Sequence, residues 1–438
     1  MTSDLKRTEF LKSLKNSAYP ASEDGVLPLS HVNEITMSKA FKTAGRIQII
    51  NDQEIRLTSN GVERNFEIPQ TLTFGGSILF EILKPNDIVL ITIENKKIQN
   101  IKLLVPSLLE NPLSENTLTP DRAHQWQVFI KTLKYFFAAR EFIELRTPTL
   151  VSSPGLEPHL DVFKTQLNFG RVEKNYYLPT SPEFHLKKAL ALGFERCFEI
   201  KECFRNNEIS EHHQPEFLML EWYRAYATSN ALIEDIKQLI PFLIEELGIS
   251  SHFPKEIFVE VIKMEMLWKN TVGFDLTPQT SQNDLAKLAH KLQLDFNEKE
   301  NFDDLFARIF LEKIEPELQK NLNPVIVWHY PPSQAALARS TTDGWADRFE
   351  LYWKGLEIAN AFHELNDPVE QLIRFKNDQE KKSSLNKEVV PIDDEFMNAL
   401  KWGMPPSAGI ALGVERLFMA LFEIKKISEV RLFPQHQR

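Results

Sequence analysis

Three glutamates, Glu350, Glu357 and Glu364, recur every seven residues in RFELYWKGLEIANAFHELND, residues 348–367. The WKG triplet between the first two reads as a hairpin turn, which sets Glu350 and Glu357 opposite each other on antiparallel strands. Like charges so placed destabilise a sheet unless something positive lies between them. Mg²⁺ bridging the phosphates of ATP is the natural occupant, with a solvated hairpin carrying outward glutamates as the alternative. A second dense stretch, CFRNNEISEHHQPEFLMLEWYRAY, residues 203–226, supplies an arginine, a polar turn rich in His and Asn, and an aromatic beside a carboxylate. Side chains of these types are what nucleotide binding requires here, because the chain has only 15 glycines and no G-x-x-x-x-G-K-[ST] loop. Alone, FRNNE reads as a surface turn. A third stretch, GIALGVERLFMALF, residues 409–422, runs from a Gly-rich strand into an apolar helix that carries Arg416.

These stretches need strands and helices to hold them. RCFEIKECFR and PEFLMLEWYRAY read as two strands joined by the polar loop. Residues 122–140 read as an amphipathic helix with Trp126, Phe129, Ile130, Leu133 and Phe136 on its apolar side, followed by FIEL and TPTL. Residues 229–320 look mainly helical and form an insertion between the two chemically dense regions. Before all of this, GRIQII, EIRLTS, RNFEI, SILFEIL, DIVLITIE and KIQNIKLLV are β-rich runs separated by turn residues. They predict a small OB-like β-barrel over 29–107, after a flexible leader (1–28) and before a linker (108–121) and a catalytic region (122–438). The fold class expected is α+β, an antiparallel sheet flanked by helices.

Composition narrows the classes of function. A net charge of −10 argues against loose, charge-driven nucleic-acid binding. Within the barrel segment, nine Lys or Arg stand against eight Asp or Glu, and the aromatics are Phe41, Phe66, Phe74 and Phe80. That is thin chemistry for stacking single strands. No apolar run approaches the length of a membrane span, and no signal-like apolar stretch opens the chain, so the cytoplasm is the expected location. Cys197 and Cys203, at a spacing that fits no common zinc pattern, are expected to be reduced and buried.

The segment around Arg205 resembles motif 2 of class II aminoacyl-tRNA synthetases, and GIALGVERLFMALF resembles motif 3. Their order along the chain, with the carboxylate hairpin between them, strengthens the resemblance. It implies that Arg205 clamps the α-phosphate and the substrate carboxylate, that Phe217 stacks on adenine, and that Arg416 holds the γ-phosphate. Asn206, Asn207, His213, Gln214, Ile358 and Gly413 complete the implied nucleotide set, with Glu350 and Glu357 on Mg²⁺. Motif 1 would be the helix ending FFAAREFIELRTPTL with Pro148; Glu141 stands there where the family has Gly. Motif 1 implies a homodimer.

TSPEFHLKK, residues 180–188, is similar to the amino-acid-binding loop of lysyl-tRNA synthetases and their relatives. Ser181, Pro182 and Glu183 would then receive the substrate amine, while Glu364 with Tyr223 would bind the side-chain ammonium and Asn360 would line the pocket. Within this group GLEPHLDVFKT, MLEWYRAY, HYPPSQAALA, ANAFHEL and GIALGVER resemble the elongation factor P (R)-β-lysine ligases over residues 120–430. Ala411 stands where those ligases have Ala and the tRNA synthetases have Gly. The resemblance implies ATP-dependent activation of lysine or (R)-β-lysine and transfer to a lysine of elongation factor P. Charging of tRNA and a catalytically inactive regulatory paralogue are the alternatives. Two departures stand out: Asn207 replaces the Glu of the usual F-R-x-E, and a β-rich segment precedes a domain that in these ligases usually stands alone.

Overall fold

The computed structural model describes residues 26–33, 37, 39–51, 53–59, 61–69, 83–107, 118–170, 172–253, 255–297 and 299–435. Most of the expected leader, linker and SILFEIL run lies outside them. The chain divides into two compact units, Met1–Gln125 and Trp126–Arg438.

In the first unit, β1 (Val26–Leu27), β2 (Phe41–Ile50), β3 (Glu54–Ser59), β4 (Val62–Glu67), β5 (Ile88–Glu94) and β6 (Lys97–Val105) form one sheet. Its order is β4-β3-β2-β5-β6, antiparallel throughout, with β1 parallel on β2. Alternation of Glu54, Ile55, Arg56 and Leu57 turns the isoleucine and leucine inward, where they pack with Ile47, Phe66, Val89, Ile91 and Ile101. The barrel expected here does not close among the described residues. Closure requires the two edge strands to bond to each other, and β4 and β6 approach without pairing.

The second unit is built on an eight-stranded sheet. Its strands are β7 (Ile143–Glu144), β10 (Arg196–Phe204), β11 (Glu216–Ala225), β12 (Glu260–Lys263), β13 (Val325–Tyr330), β14 (Ala346–Trp353), β15 (Leu356–His363) and β16 (Ser407–Gly413). The order is β12-β13-β14-β15-β16-β11-β10-β7, antiparallel except at the two edges. A separate ribbon pairs β8 (Lys164–Phe169) with β9 (Val172–Tyr177). Helices α1 (Pro120–Ala138), α3 (Ser229–Glu246) and α10 (Val414–Phe422) cover one face of the large sheet and supply most of its apolar core. On the other face lie α2 (Glu183–Ala191), α8 (Pro368–Ser384) and α9 (Asp394–Gly403), with Phe184 stacked on Phe396 at 4.8 Å.

Residues 229–320 are mostly helical but are not set apart. α3 lies in the main core and β12 extends the sheet, while α4 (Met264–Val272), α5 (Gln282–Lys291), α6 (Phe302–Ile309) and α7 (Glu315–Gln319) pack a second core around Trp268. Local chemistry fixes the ends: Ser281 with Asp284, and Asn301 with Asp304, form capping boxes at the starts of α5 and α6. After α1 the chain reverses at Glu141, whose φ of 63° is the left-handed conformation in which glycine carries no steric cost. Cys197 and Cys203 are buried free thiols.

Candidate active site

Strand alternation builds the site. On β11, Leu220 and Trp222 face the core while Phe217, Met219 and Glu221 face a cavity of about 750 Å³. On β16, Ala408, Ile410 and Leu412 face the core, whereas Ala411 and Gly413 face the cavity; β15 adds Glu357, Ile358 and Asn360. Ala411 pairs with Glu221 on one side and Asn360 on the other, so three adjacent strands lay these residues in a row. The loop between β10 and β11 brings Arg205, His213 and Gln214 to one end, and the start of α2 brings Ser181 and Glu183 to the other side.

The cationic end is tightly organised. The Arg205 guanidinium lies 5.1 Å above the Phe217 ring, and its buried Nε has no hydrogen-bond partner. Arg416 donates through Nη1 to the Glu357 carbonyl (2.8 Å) and through Nη2 to His213 Nε2 (2.6 Å). Burial, aided by Arg416, pulls His213 down to about 4, so its ring is neutral and Nε2 is free to accept. Burial and then Glu350 push Glu357 up to about 7, with Arg416 opposing.

The anionic end is a buried cluster. Lys187, one turn after Glu183 on α2, has no exposed surface. Its Nζ sits 2.5 Å from Glu183 Oε1 and 2.6 Å from Glu364 Oε2. Burial alone would lower the Lys187 ammonium, but the two carboxylates outweigh it and the net shift is upward. Burial pushes Glu364 up to about 8, with Lys187 drawing it back. Neither Glu364 oxygen receives a well-aligned hydrogen bond. Tyr223 donates to Glu221 Oε2 at 2.9 Å, leaving Glu221 Oε1 buried without a partner. Burial and Glu183 push Glu221 well above the carboxylate range. Gly409 makes this packing possible, since a Cβ there would stand 2.1 Å from Tyr223 Cε1 and 2.4 Å from Glu364 Oε1.

Of the residues singled out in the sequence, Ser181, Glu183, Arg205, His213, Gln214, Phe217, Glu357, Ile358, Asn360, Ala411, Gly413 and Arg416 line the cavity. Others stand behind it. Pro182 precedes α2 as its cap residue, and Tyr223 and Glu364 lie beneath the lining. Asn206 and Asn207 are not on the cavity lining: the Asn206 amide donates to the Asp161 carbonyl at 2.9 Å, its Oδ1 accepts from the Asn207 amide at 3.0 Å, and Asn207 Nδ2 donates to Asp161 Oδ2 at 3.0 Å. Gln214 spends its side-chain amide on the backbone of Gln435, at 3.1 and 2.8 Å.

The glutamate hairpin differs from expectation. The turn forms at Lys354 and Gly355, both at positive φ (49° and 78°), as a two-residue hairpin requires. However, a register shift between Leu351 and Tyr352 pairs Glu350 with Asn360 and Glu357 with Tyr352. The positive charge beside Glu350 belongs to Arg348, and Tyr330 and Tyr352 also donate to it. Among the described residues no group of three or more acidic, His or Cys side chains is poised for a metal. Glu357 alone of the pair keeps a carboxylate on the cavity with only a distant partner, Arg416 at 3.9 Å. That fits an ion carried by phosphates, since Mg²⁺ keeps several waters and takes one or two carboxylates besides them.

Sequence reasoning missed Glu157, Lys187, Glu221 and Arg348. Two had a signal: Glu221 lies two residues from Tyr223 on one strand face, and Lys187 lies four residues from Glu183 on one helix face.

Residues 122–437 match the family model of class II tRNA synthetases (D, K and N). The chain belongs to this family. Curated relatives of this class II synthetase include elongation factor P–(R)-β-lysine ligases. That of Haemophilus influenzae strain PittGG is 35% identical over 308 residues, covering 69% of this chain and 92% of the relative. The Haemophilus ducreyi protein is 36% identical over 305 residues, 69% and 90% of the two chains, and that of Hamiltonella defensa 33% over 309, 70% and 92%. The class II match spans the second unit and leaves the N-terminal sheet outside it.

Proposed function

We propose that this enzyme activates lysine or (R)-β-lysine with ATP as the aminoacyl-adenylate and transfers it to a lysine side chain of elongation factor P. The observation that carries this reading is the polarity of the cavity, with two arginines at one end and a buried carboxylate cluster at the other. The curated relatives are named as elongation factor P–(R)-β-lysine ligases, which supports the amino acid and the acceptor.

In this mechanism the substrate carboxylate oxygen attacks the α-phosphorus, the bond to pyrophosphate breaks, and no enzyme nucleophile is needed. Arg205, with a free Nε, holds the α-phosphate and carboxylate, a task that suits a planar, permanently charged fork. Arg416, oriented by neutral His213, holds the terminal phosphates. Phe217, on the cavity wall beneath Arg205, offers its ring to adenine. Mg²⁺, when bound, would neutralise phosphate charge beside Glu357. At the far end Glu183, Glu221 and Glu364 carry three negative charges against the one positive charge of Lys187 when all are ionised. Two ammonium groups balance that remainder, which favours a diamino acid over substrates with one amine. Positioning and charge neutralisation supply the acceleration.

The same reading makes the protein a cytoplasmic homodimer. No helix among the described residues is long and apolar enough to cross a membrane.

ATP–pyrophosphate exchange with α-lysine and (R)-β-lysine tests the first step, with Arg205→Ala as control. Transfer to purified elongation factor P, set against transfer to tRNA, tests the second. Exchange with neither amino acid overturns the reading; exchange followed by charging of tRNA alone replaces the acceptor.

A further inference from the structure

Glu157 sits in the loop between Pro154 and Leu160 and lines the cavity beside residues with assigned roles. The residue as a whole is partly exposed, yet its Oε2 is closed off from solvent and has no hydrogen-bond partner. Six other carboxylates at or beside the cavity each have a side-chain donor or cation. Glu183 and Glu364 share Lys187, Glu221 has Tyr223, Glu350 has Arg348, Glu357 has Arg416, and Glu415 has Arg431. Glu157 has none. Lys382 donates to its backbone carbonyl at 3.1 Å rather than to its carboxylate. Gly155 makes the arrangement possible: a Cβ there would lie 2.5 Å from Glu157 Oε2.

Its surroundings place it at the reacting end. Burial raises the Glu157 carboxyl above its ordinary value and Glu183 pushes it further, while a hydrogen bond from its own backbone amide, then Arg205 and Lys382, oppose. It therefore lies within electrostatic reach of the arginine that would hold the α-phosphate and of the carboxylate that would hold the substrate amine. The loop continues to His159 and Leu160, and the same cavity is lined by Asp303 and Asp304 of α6 and Asp378 of α8. Lys381 also lines it and bridges to Asp303 at 3.5 Å, so three carboxylates stand against one lysine there, a balance that attracts a primary ammonium toward a carboxylate with no side-chain partner.

We propose that Glu157 receives the ammonium of the acceptor lysine and takes its proton as the amine attacks the adenylate. The step rests on the function proposed above. The ammonium gives one proton to the Glu157 carboxylate, and its freed lone pair forms the C–N bond to the adenylate carbonyl carbon. On collapse the C–O bond to the phosphate breaks, AMP leaves with that electron pair, and the second nitrogen proton goes with the phosphate. A lysine amine has a pKa near 10.4, so it arrives protonated at neutral pH. A carboxylate whose pKa is raised is a stronger base than an ordinary one and better matched to this task.

The test separates the two half-reactions in the full chain. Glu157→Gln should leave ATP–pyrophosphate exchange within about twofold of wild type and slow transfer to elongation factor P by roughly 10²–10⁴-fold, the usual contribution of a general base. Transfer to hydroxylamine, which is already neutral at pH 7, should be as fast as in wild type. Glu157→Asp, which keeps the carboxylate on a shorter stem, should transfer at an intermediate rate. Wild-type transfer to elongation factor P in Glu157→Gln overturns the proposal. So does loss of exchange with a raised KM for the amino acid in both variants, because Glu157 would then hold the activated substrate. If wild type itself exchanges but modifies no lysine of elongation factor P, it is the functional reading that fails.

Discussion

Replacing Lys187 by Met tests whether its buried ion pairs organise the anionic end of the site. Lys187 has no exposed surface and touches two carboxylates at 2.5 and 2.6 Å. At an effective dielectric constant of about 20, each contact attracts by roughly 6 kcal/mol. Most of that offsets the cost of burying the ions, and deleting one partner of such a pair costs about 3–5 kcal/mol. Methionine keeps the volume and the flexible stem, so the loss reports charge rather than packing. The variant has a pH signature as well. Without Lys187, Glu364 and its neighbours must hold protons in the folded state that they release on unfolding. A carboxyl whose folded pKa is raised contributes stability below its unfolded value and loses it as pH climbs toward the folded one. The deficit of the variant should therefore be largest near pH 8 and shrink on acidification, by up to about 1.4 kcal/mol per pH unit for each carboxyl that differs. Urea unfolding of wild type and variant at pH 8 and pH 6 measures both quantities. A variant within about 1 kcal/mol of wild type at pH 8, or a deficit that grows at pH 6, would refute the reasoning.

Gly409→Ala drives a Cβ into Tyr223 and Glu364; misplacing them by an ångström should cost about a hundredfold in lysine-dependent exchange, while the KM for ATP holds. Because burial pushes Glu364 up to about 8 and only its ionised form attracts an ammonium, KM for the amino acid should fall as pH rises toward about 8 and level above it; a flat profile in steady-state exchange would contradict this. Chelation should abolish exchange and excess Mg²⁺ restore it. Glu357→Gln should raise the Mg²⁺ requirement, whereas Glu350→Gln should leave it unchanged and lower thermal stability, since Glu350 serves Arg348.

Much of this was legible from residue order. Period-two alternation in MLEWYRAY and GIALGVER separates a core face from a chemical face, and Lys354-Gly355 announces its own turn. The register of Glu350 was not legible, because the shift after Leu351 comes from how β14 and β15 pair and leaves no mark in composition. Spacing also suggested that Glu350 faces Glu357 across a bound cation. Burial explains the difference: a carboxylate removed from water must find a cation within the chain, and Glu350 finds Arg348, two residues away on its own strand. The N-terminal strands were readable one by one, but barrel closure depends on edge pairing that no single strand encodes.

The two hydrogen bonds between Gln214 and the backbone of Gln435 clasp the loop of Arg205 and His213 to the carboxyl-terminal residues. Arg431 adds a second rivet on Glu415, whose carboxylate accepts from the backbone of Leu218 beside Phe217. A proteolytic nick between Arg431 and Gln435 would therefore free the loop of Arg205 and His213 and pass for a defect in catalysis.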